Sequence, residues 1–108
     1  MLLTKIQHGP TNGFVICNRG VFLASQGEFA SAIKEWTNEL ALDPNDTMAL
    51  SNIAWIRSTC RDDALRNGKQ AIEYAIKACE LSEWKHPGFL ETLAAAYAEI
   101  GDFLNALK

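Results

Sequence analysis

The sequence predicts an all-α fold in which two-helix units repeat along the chain and stack as a solenoid. The stretches 27–34 and 101–108 share one pattern: Gly, an acid, Phe, two variable positions, Ala, an aliphatic residue and Lys. Small residues at Gly20, Ala54 and Ala94 are separated by 34 and 40 positions, which indicates a 34-residue period with six extra residues in the second unit. Repeats of this length are typical of helical hairpins that bury their apolar faces against one another.

The first unit, at about residues 13–46, is predicted to contain two helices. We expect the first helix over 11–26, because apolar residues recur there at helical spacing, and Gly27 ends it as a residue that tolerates positive φ. The second helix continues a spacing of three and four positions with Phe29, Ile33, Trp36 and Leu40. Pro44 ends this helix. Residues 1–11 precede the unit as a leader, for which flexibility is the default expectation.

The second unit spans about 47–86 and contains an insertion. Its helices are predicted over 47–59 and 68–81, and Asn45 and Asp46 are candidate caps for the first of them. The loop near 60–67 holds most of the extra residues and four charged side chains. We therefore expect it to be an exposed, mobile excursion.

The third unit, at about 87–108, is predicted to be incomplete. Pro87 suits the first position of a helix because that position needs no backbone donor. This helix is expected to run to Ile100, and a turn at Gly101 should start a second helix that the sequence truncates at Lys108.

Composition and charge argue against several classes of function. The chain has 10 Lys and Arg against 13 Asp and Glu, a formal net charge of -3, and no basic cluster. Nucleic-acid binding is not expected, since it requires a basic surface that displaces counterions. No apolar run reaches the roughly 18 residues of a membrane span, and the first residues do not read as a signal peptide. These features favour the cytoplasm without establishing the compartment.

The three cysteines, Cys17, Cys60 and Cys79, predict neither a disulfide framework nor a zinc site, because their number is odd and no C-x-x-C pair occurs. We expect buried thiols. The alternative is a redox-sensitive thiol at Cys60, in the predicted loop.

Catalysis is not expected. His8 and His86 are far apart in the sequence, and neither has a carboxylate or cysteine at the spacing of a dyad or a metal site. No glycine-rich phosphate loop is present. The sequence therefore predicts no enzyme activity, no cofactor and no metal.

The repeat pattern resembles the tetratricopeptide repeat over about residues 12–108. The family's pattern has, in order, a small residue, a large residue, Gly, Ala, an aromatic residue and Pro at fixed spacing. In the first unit these positions hold Gly20, Leu23, Gly27, Ala32, Trp36 and Pro44. The third unit repeats the first four of these with Ala94, Tyr97, Gly101 and Ala106. Glu39 and Arg57 depart from the family's pattern. The second and third units look like a subgroup common in large bacterial multi-repeat proteins.

The resemblance implies a right-handed α-α superhelix whose first helices line a concave groove for a protein or peptide partner. Among the positions that the family turns toward this groove are Asn18, Val21, Met48, Asn52, Trp55 and Thr92. Asn18 and Asn52 either bond to a bound backbone or are simply solvated. Trp55 is either a binding hot spot or packed between first helices, whereas Trp36 and Trp84 are expected to be structural.

Some members of the family hold a chaperone's terminal carboxylate with lysine, arginine and asparagine side chains. In this chain Asn52 matches that set, but the other positions of the set hold Cys17, Val21, Gly88 and Thr92. A carboxylate would lack charged partners there, so chaperone-tail binding is not expected.

A second hypothesis is self-association. If the third unit is incomplete, Phe103, Leu104 and Leu107 have no following helix to cover them. Solenoid ends need a polar cap, and an exposed apolar end favours assembly with other copies.

Overall fold

The computed structural model describes the backbone of residues 12–106 and the side chains of residues 19–101. Within this range the chain is all-helical, which confirms the all-α part of the predicted fold class. The helices are α1 (Asn12–Ser25), α2 (Phe29–Leu42), α3 (Thr47–Thr59), α4 (Gly68–Leu81) and α5 (Pro87–Ala106). The predicted leader and Leu107 lie outside the described residues. For Cys17 and Asn18 the backbone is described but the side chains are not.

The helices pack largely as neighbours in sequence. The most extensive contacts join α1 to α2 and α3 to α4, and α5 then packs against both α3 and α4. A smaller contact joins α2 to α3. This order of contacts follows from short connections between amphipathic helices, each of which must bury one face.

The turn between α1 and α2 is built on Gly27, which has a φ of +81°. The Glu28 N–H donates to the Leu23 carbonyl at 2.9 Å, and the Gly27 N–H donates to the Ala24 carbonyl at 3.0 Å. These two bonds satisfy carbonyls that the end of a helix leaves unpaired, and the pattern requires a left-handed residue where glycine stands. The predicted turn at Gly27 is therefore present.

Side-chain caps begin α3 and α4. Asp46 Oδ1 accepts the Ala49 N–H at 3.1 Å, as the sequence predicts. Asn67 Oδ1 accepts the Gln70 N–H at 3.0 Å. Each cap pairs a backbone donor of the first helical turn, so α3 and α4 start at the residues predicted from the sequence.

The core consists of three buried groups of side chains. One group joins α2 to α3 and contains Trp36, which is 2% exposed and has the predicted structural role. The other two groups join α3 and α4 to α5. Their members are Leu50, Ala78, Cys79 and Phe89 in one group and Ala54, Ala71, Ala75 and Ala96 in the other. The many alanines let the backbones of these three helices approach closely.

Trp84 differs from Trp36 because it lies on the connection between α4 and α5 and is 48% exposed. Glu83 and Trp84 both have positive φ, of 59° and 61°. The Trp84 N–H donates to the Cys79 carbonyl at 2.7 Å, which fixes this turn after α4. The structural contribution of Trp84 comes from its backbone, and its ring belongs to none of the three core groups.

The predicted turn at Gly101 is wrong for the described residues, because α5 continues through Gly101 to Ala106. Gly101 has no positive φ, unlike Gly27. A glycine inside a helix costs only about 1 kcal/mol relative to alanine, whereas a new helix must nucleate and pack before it is stable. Extending α5 through Gly101 therefore costs less free energy than ending it there and starting a new helix.

None of the helices in the described part of the chain combines the length and the hydrophobicity that crossing a membrane requires. Cys60 and Cys79 are buried free thiols, as expected. Burial raises the pKa of the Cys79 thiol, and the burial of Cys60 argues against the redox-sensitive alternative.

Candidate functional site

Trp55 is the centre of the candidate site. It lies on α3, whose opposite face is buried through Leu50, Ile53 and Ala54, and it is itself 47% exposed. Large apolar side chains on a surface are unremarkable when isolated. Trp55 is not isolated, because three cavities open beside its ring.

Trp55 borders all three cavities, which differ in size and in the helices that form them. The largest, about 760 Å³, lies between the α1–α2 turn and the end of α3. The second, about 330 Å³, lies between α1 and α3 and includes Val21 and Asn52. The third, about 290 Å³, lies between α3 and α5 and includes Met48 and Asn52. We call this combined surface the Trp55 groove.

Four of the six predicted groove residues line the Trp55 groove with at least part of their side chains accessible. Val21 and Met48 are exposed, and Asn52 is half-buried between two cavities. Asn18 belongs to α1, but its side chain lies outside the described set. Val21, Met48, Asn52 and Trp55 thus border one connected surface along α1 and α3.

Thr92 is buried, whereas the sequence predicts that it faces the groove. It is 5% exposed and lies in the contact between α5 and α3. Its hydroxyl is 3.1 Å from the Ser51 hydroxyl and 3.0 Å from the Gly88 carbonyl, to which it donates. Thr92 contributes to the bottom of the third cavity, and its hydrogen-bonding capacity is used within the fold.

The loop at residues 60–67 forms a wall of the largest cavity, which sequence reasoning missed. Cys60, Arg61, Asp62 and Leu65 border this cavity opposite Phe29. The loop thus contributes one apolar side chain, Leu65, and two charged ones, Arg61 and Asp62, to this cavity.

Two arginines tie this loop to the helices instead of leaving it a free excursion. Arg57 Nε donates to Gln70 Oε1 at 2.8 Å, and its Nη1 donates to the Leu65 carbonyl at 2.9 Å. Arg66 Nη1 donates to the Cys60 carbonyl at 3.1 Å, and its Nε lies 3.4 Å from Glu99 Oε2 on α5. The sequence signal was Arg57 itself, a charged side chain where the repeat pattern expects an apolar one.

The charges around the Trp55 groove are mixed and mainly acidic. Glu28, Asp62 and Glu91 border it, together with Arg61 and His86. The His86 ring stacks on Phe89 with centroids 3.9 Å apart, which holds the imidazole against the base of α5. This rim suits a ligand with basic groups around an apolar centre.

The self-association residues predicted at the C-terminal end cannot be placed as a surface. Phe103 and Leu104 belong to α5, but only their backbone is described. The described part of α5 exposes other apolar residues, Leu90 and Tyr97, at 42% and 52%. These lie on the face that carries Ala94 in the repeat pattern.

A group of acidic residues lies away from the Trp55 groove. Glu39, Asp43 and Asp46 each place one carboxylate oxygen within 4.8 Å of the others. Sequence reasoning found no metal-ligating pattern and missed this group, although Glu39 was a departure from the repeat pattern.

Comparisons of the chain with protein-family models, with curated proteins and with solved structures found no match.

Proposed function

We propose that this chain is a non-catalytic interaction module of the tetratricopeptide type that binds a peptide or a helix of a partner protein in the Trp55 groove. The observation that carries the proposal is Trp55, half-exposed on α3 and bordered by three cavities. An aromatic ring flanked by concave apolar surface is the usual setting of a binding hot spot.

The surface that Trp55 leaves exposed is large enough to matter. Burying roughly 100 Å² of an indole at about 25 cal/mol per Å² contributes about 2–3 kcal/mol. That is the range of hot-spot residues, and it corresponds to a loss of about 30- to 150-fold in affinity when the ring is removed.

The rim supports a ligand of particular chemistry. Three acids and one arginine border the groove, and the whole chain carries a net charge of -3. We therefore infer that the bound segment places an apolar side chain beside Trp55 and carries Lys or Arg next to it. Asn52 borders two of the cavities, where an amide can orient the bound backbone.

The proposal is tested by selecting peptides from a random displayed library on the wild-type chain. Binding of selected peptides is then measured by fluorescence anisotropy with the variants Trp55→Ala and Trp84→Ala. Trp84 is a matched control, because it is as exposed as Trp55 but borders none of the three cavities.

We expect Trp55→Ala to weaken binding at least 30-fold, and Trp84→Ala to change it less than about twofold. Selected sequences should combine an apolar anchor with Lys or Arg. Equal losses in both variants, or selected peptides that bind Trp55→Ala as well as the wild type, would place the interface elsewhere.

An assembly function is the second candidate, and the exposed face of α5 favours it. Leu90, Ala94 and Tyr97 recur at helical spacing and are exposed, while the matching small residues Gly20 and Ala54 are buried. The proposed self-association surface thus includes Leu90 and Tyr97, and the sequence adds Phe103, Leu104 and Leu107 to the proposal.

Sedimentation over a range of concentrations tests the assembly function. We expect Leu90→Glu with Tyr97→Glu to abolish a concentration-dependent dimer, and Leu42→Glu to preserve it. Leu42 is the control because it is an exposed leucine on α2. A wild-type chain that stays monomeric at high concentration would remove this candidate.

A further inference from the structure

Three acidic side chains meet where α2 ends and α3 begins. Glu39 is in the last turn of α2, Asp43 follows the helix as its C-cap, and Asp46 is the N-cap of α3. Glu39 and Asp43 are four residues apart and so share one face of the helix end. One carboxylate oxygen from each of the three lies within 4.8 Å of the others.

The two aspartates each use one oxygen to order the connection. Asp43 Oδ1 accepts the Asn45 N–H at 3.1 Å, and Asp46 Oδ1 accepts the Ala49 N–H at 3.1 Å. A carboxylate has a second oxygen with its own lone pairs. The bonds that shape the turn are therefore compatible with ligation by both aspartates.

Protein cations do not balance this group in the described part of the chain. The ion pairs there are Arg19–Glu35, Arg66–Asp63, Arg66–Glu99 and Lys85–Glu83, and none includes the three acids. Like charges at this separation repel one another, so the group needs either a proton or a cation.

Glu39 is the independent observation that points to a ligand. Its side chain is 2% exposed, and within the described residues its Oε1 is buried without a hydrogen-bond partner. A buried, unpaired carboxylate oxygen is costly, because it has lost its water and gained nothing in return. Burial first, then a side-chain hydrogen bond with Asp46 and the negative charges of Asp46 and Asp43, raise the pKa of Glu39 to about 7.

We propose that Glu39, Asp43 and Asp46 bind a calcium ion that joins the end of α2 to the start of α3. An all-oxygen carboxylate set selects hard cations. Ca²⁺ binds oxygens at about 2.3–2.6 Å, so two of its ligands can be about 5 Å apart, whereas the limit for Mg²⁺ is about 4 Å. Separations of up to 4.8 Å are within the reach of the larger ion.

The position of the site supports a modest affinity. The carbonyl end of α2 attracts cations, and Asp43 is exposed, so water can complete the coordination. With three protein carboxylates and solvent on one side, the dissociation constant should be about 0.1–1 mM.

The test uses the full chain, treated with EDTA and dialysed, and measures thermal unfolding with 10 mM CaCl₂, with 10 mM MgCl₂ and with NaCl of equal ionic strength. The variants are Glu39→Gln, Asp43→Asn and the control Glu73→Gln, which removes an exposed carboxylate from α4. Isothermal titration with CaCl₂ gives an independent stoichiometry that does not depend on unfolding.

We expect CaCl₂ to raise the unfolding temperature of the wild type and of Glu73→Gln by about 5–20 °C over the NaCl sample, with one ion bound per chain. Glu39→Gln and Asp43→Asn should lose most of this shift and bind at least tenfold more weakly. The proposal is overturned if CaCl₂ has no effect beyond ionic strength, if MgCl₂ acts as strongly, or if the two ligand variants keep the full shift.

Discussion

Gly20 gives the sharpest test of how α1 packs on α2. A Cβ atom added at Gly20 would lie 2.6 Å from Cε2 and 2.8 Å from Cδ1 of Trp36. Trp36 is 2% exposed and belongs to the group that joins α2 to α3. Its indole therefore has little room to move away, and Gly20→Ala must displace either the ring or α1.

The net effect of Gly20→Ala is the difference of two terms. Alanine gains about 0.5–1 kcal/mol over glycine inside a helix. Overpacking a buried contact costs about 1–3 kcal/mol. We expect a net destabilisation of about 0.5–2 kcal/mol, measured by urea unfolding with circular dichroism as the signal.

Gly101→Ala is the matched control for Gly20→Ala. Gly101 also lies inside a helix, but a Cβ atom there would meet nothing within 4 Å. Only the helix-propensity term remains, so this variant should be stabilised by about 0.5–1 kcal/mol. If Gly20→Ala were as stable as Gly101→Ala, the close contact with Trp36 would be refuted. If Gly101→Ala were instead destabilising, that result would support the turn that the sequence predicts at Gly101.

Two further predictions concern the cap of α4 and the buried carboxyl. Asn67→Ala removes the acceptor of the Gln70 N–H and should cost about 1 kcal/mol in urea unfolding, while Asn67→Asp, which keeps an acceptor, should cost much less. In the presence of EDTA, wild-type stability should fall as pH rises from about 4.5 to about 7. The reason is that the folded state binds the Glu39 proton more tightly than the unfolded state does. In the unfolded state the carboxyl has its ordinary pKa of 4.5. The loss is at most about 3 kcal/mol. Glu39→Gln should lack this pH dependence and should exceed the wild type in stability at pH 8. A wild-type stability curve that is flat or rises between pH 4.5 and pH 7 would contradict the raised pKa of Glu39.

The side chains that border the candidate site could be predicted from the family resemblance where helix periodicity supported it. Val21, Met48, Asn52 and Trp55 recur on one side of the first helices, and the structure brings all four to the same groove. Thr92 obeys the same periodicity but is buried, because α5 packs closely on α3 and pairs its hydroxyl with Ser51. Periodicity specifies the face of a helix, and the depth of a residue on that face depends on the neighbouring helix.

The sequence alone determined the all-helical class, the Gly27 turn and a cap for α3 at Asp46. Each of these depends on hydrogen bonds between residues within about five positions of one another, so the local residues are sufficient to specify them. Their energies do not require any particular neighbour in space.

Only the tertiary structure decided which residues far apart along the chain meet. Trp55 became the centre of three cavities because α1, α5 and the loop at 60–67 surround it. Arg57 and Arg66 ordered that loop through contacts with α4 and α5. Glu39 became a buried carboxyl because the packing of α2 against α3 removes water from it. Burial and charge depend on distance in space and on excluded solvent, and the docking of one helix on another sets both.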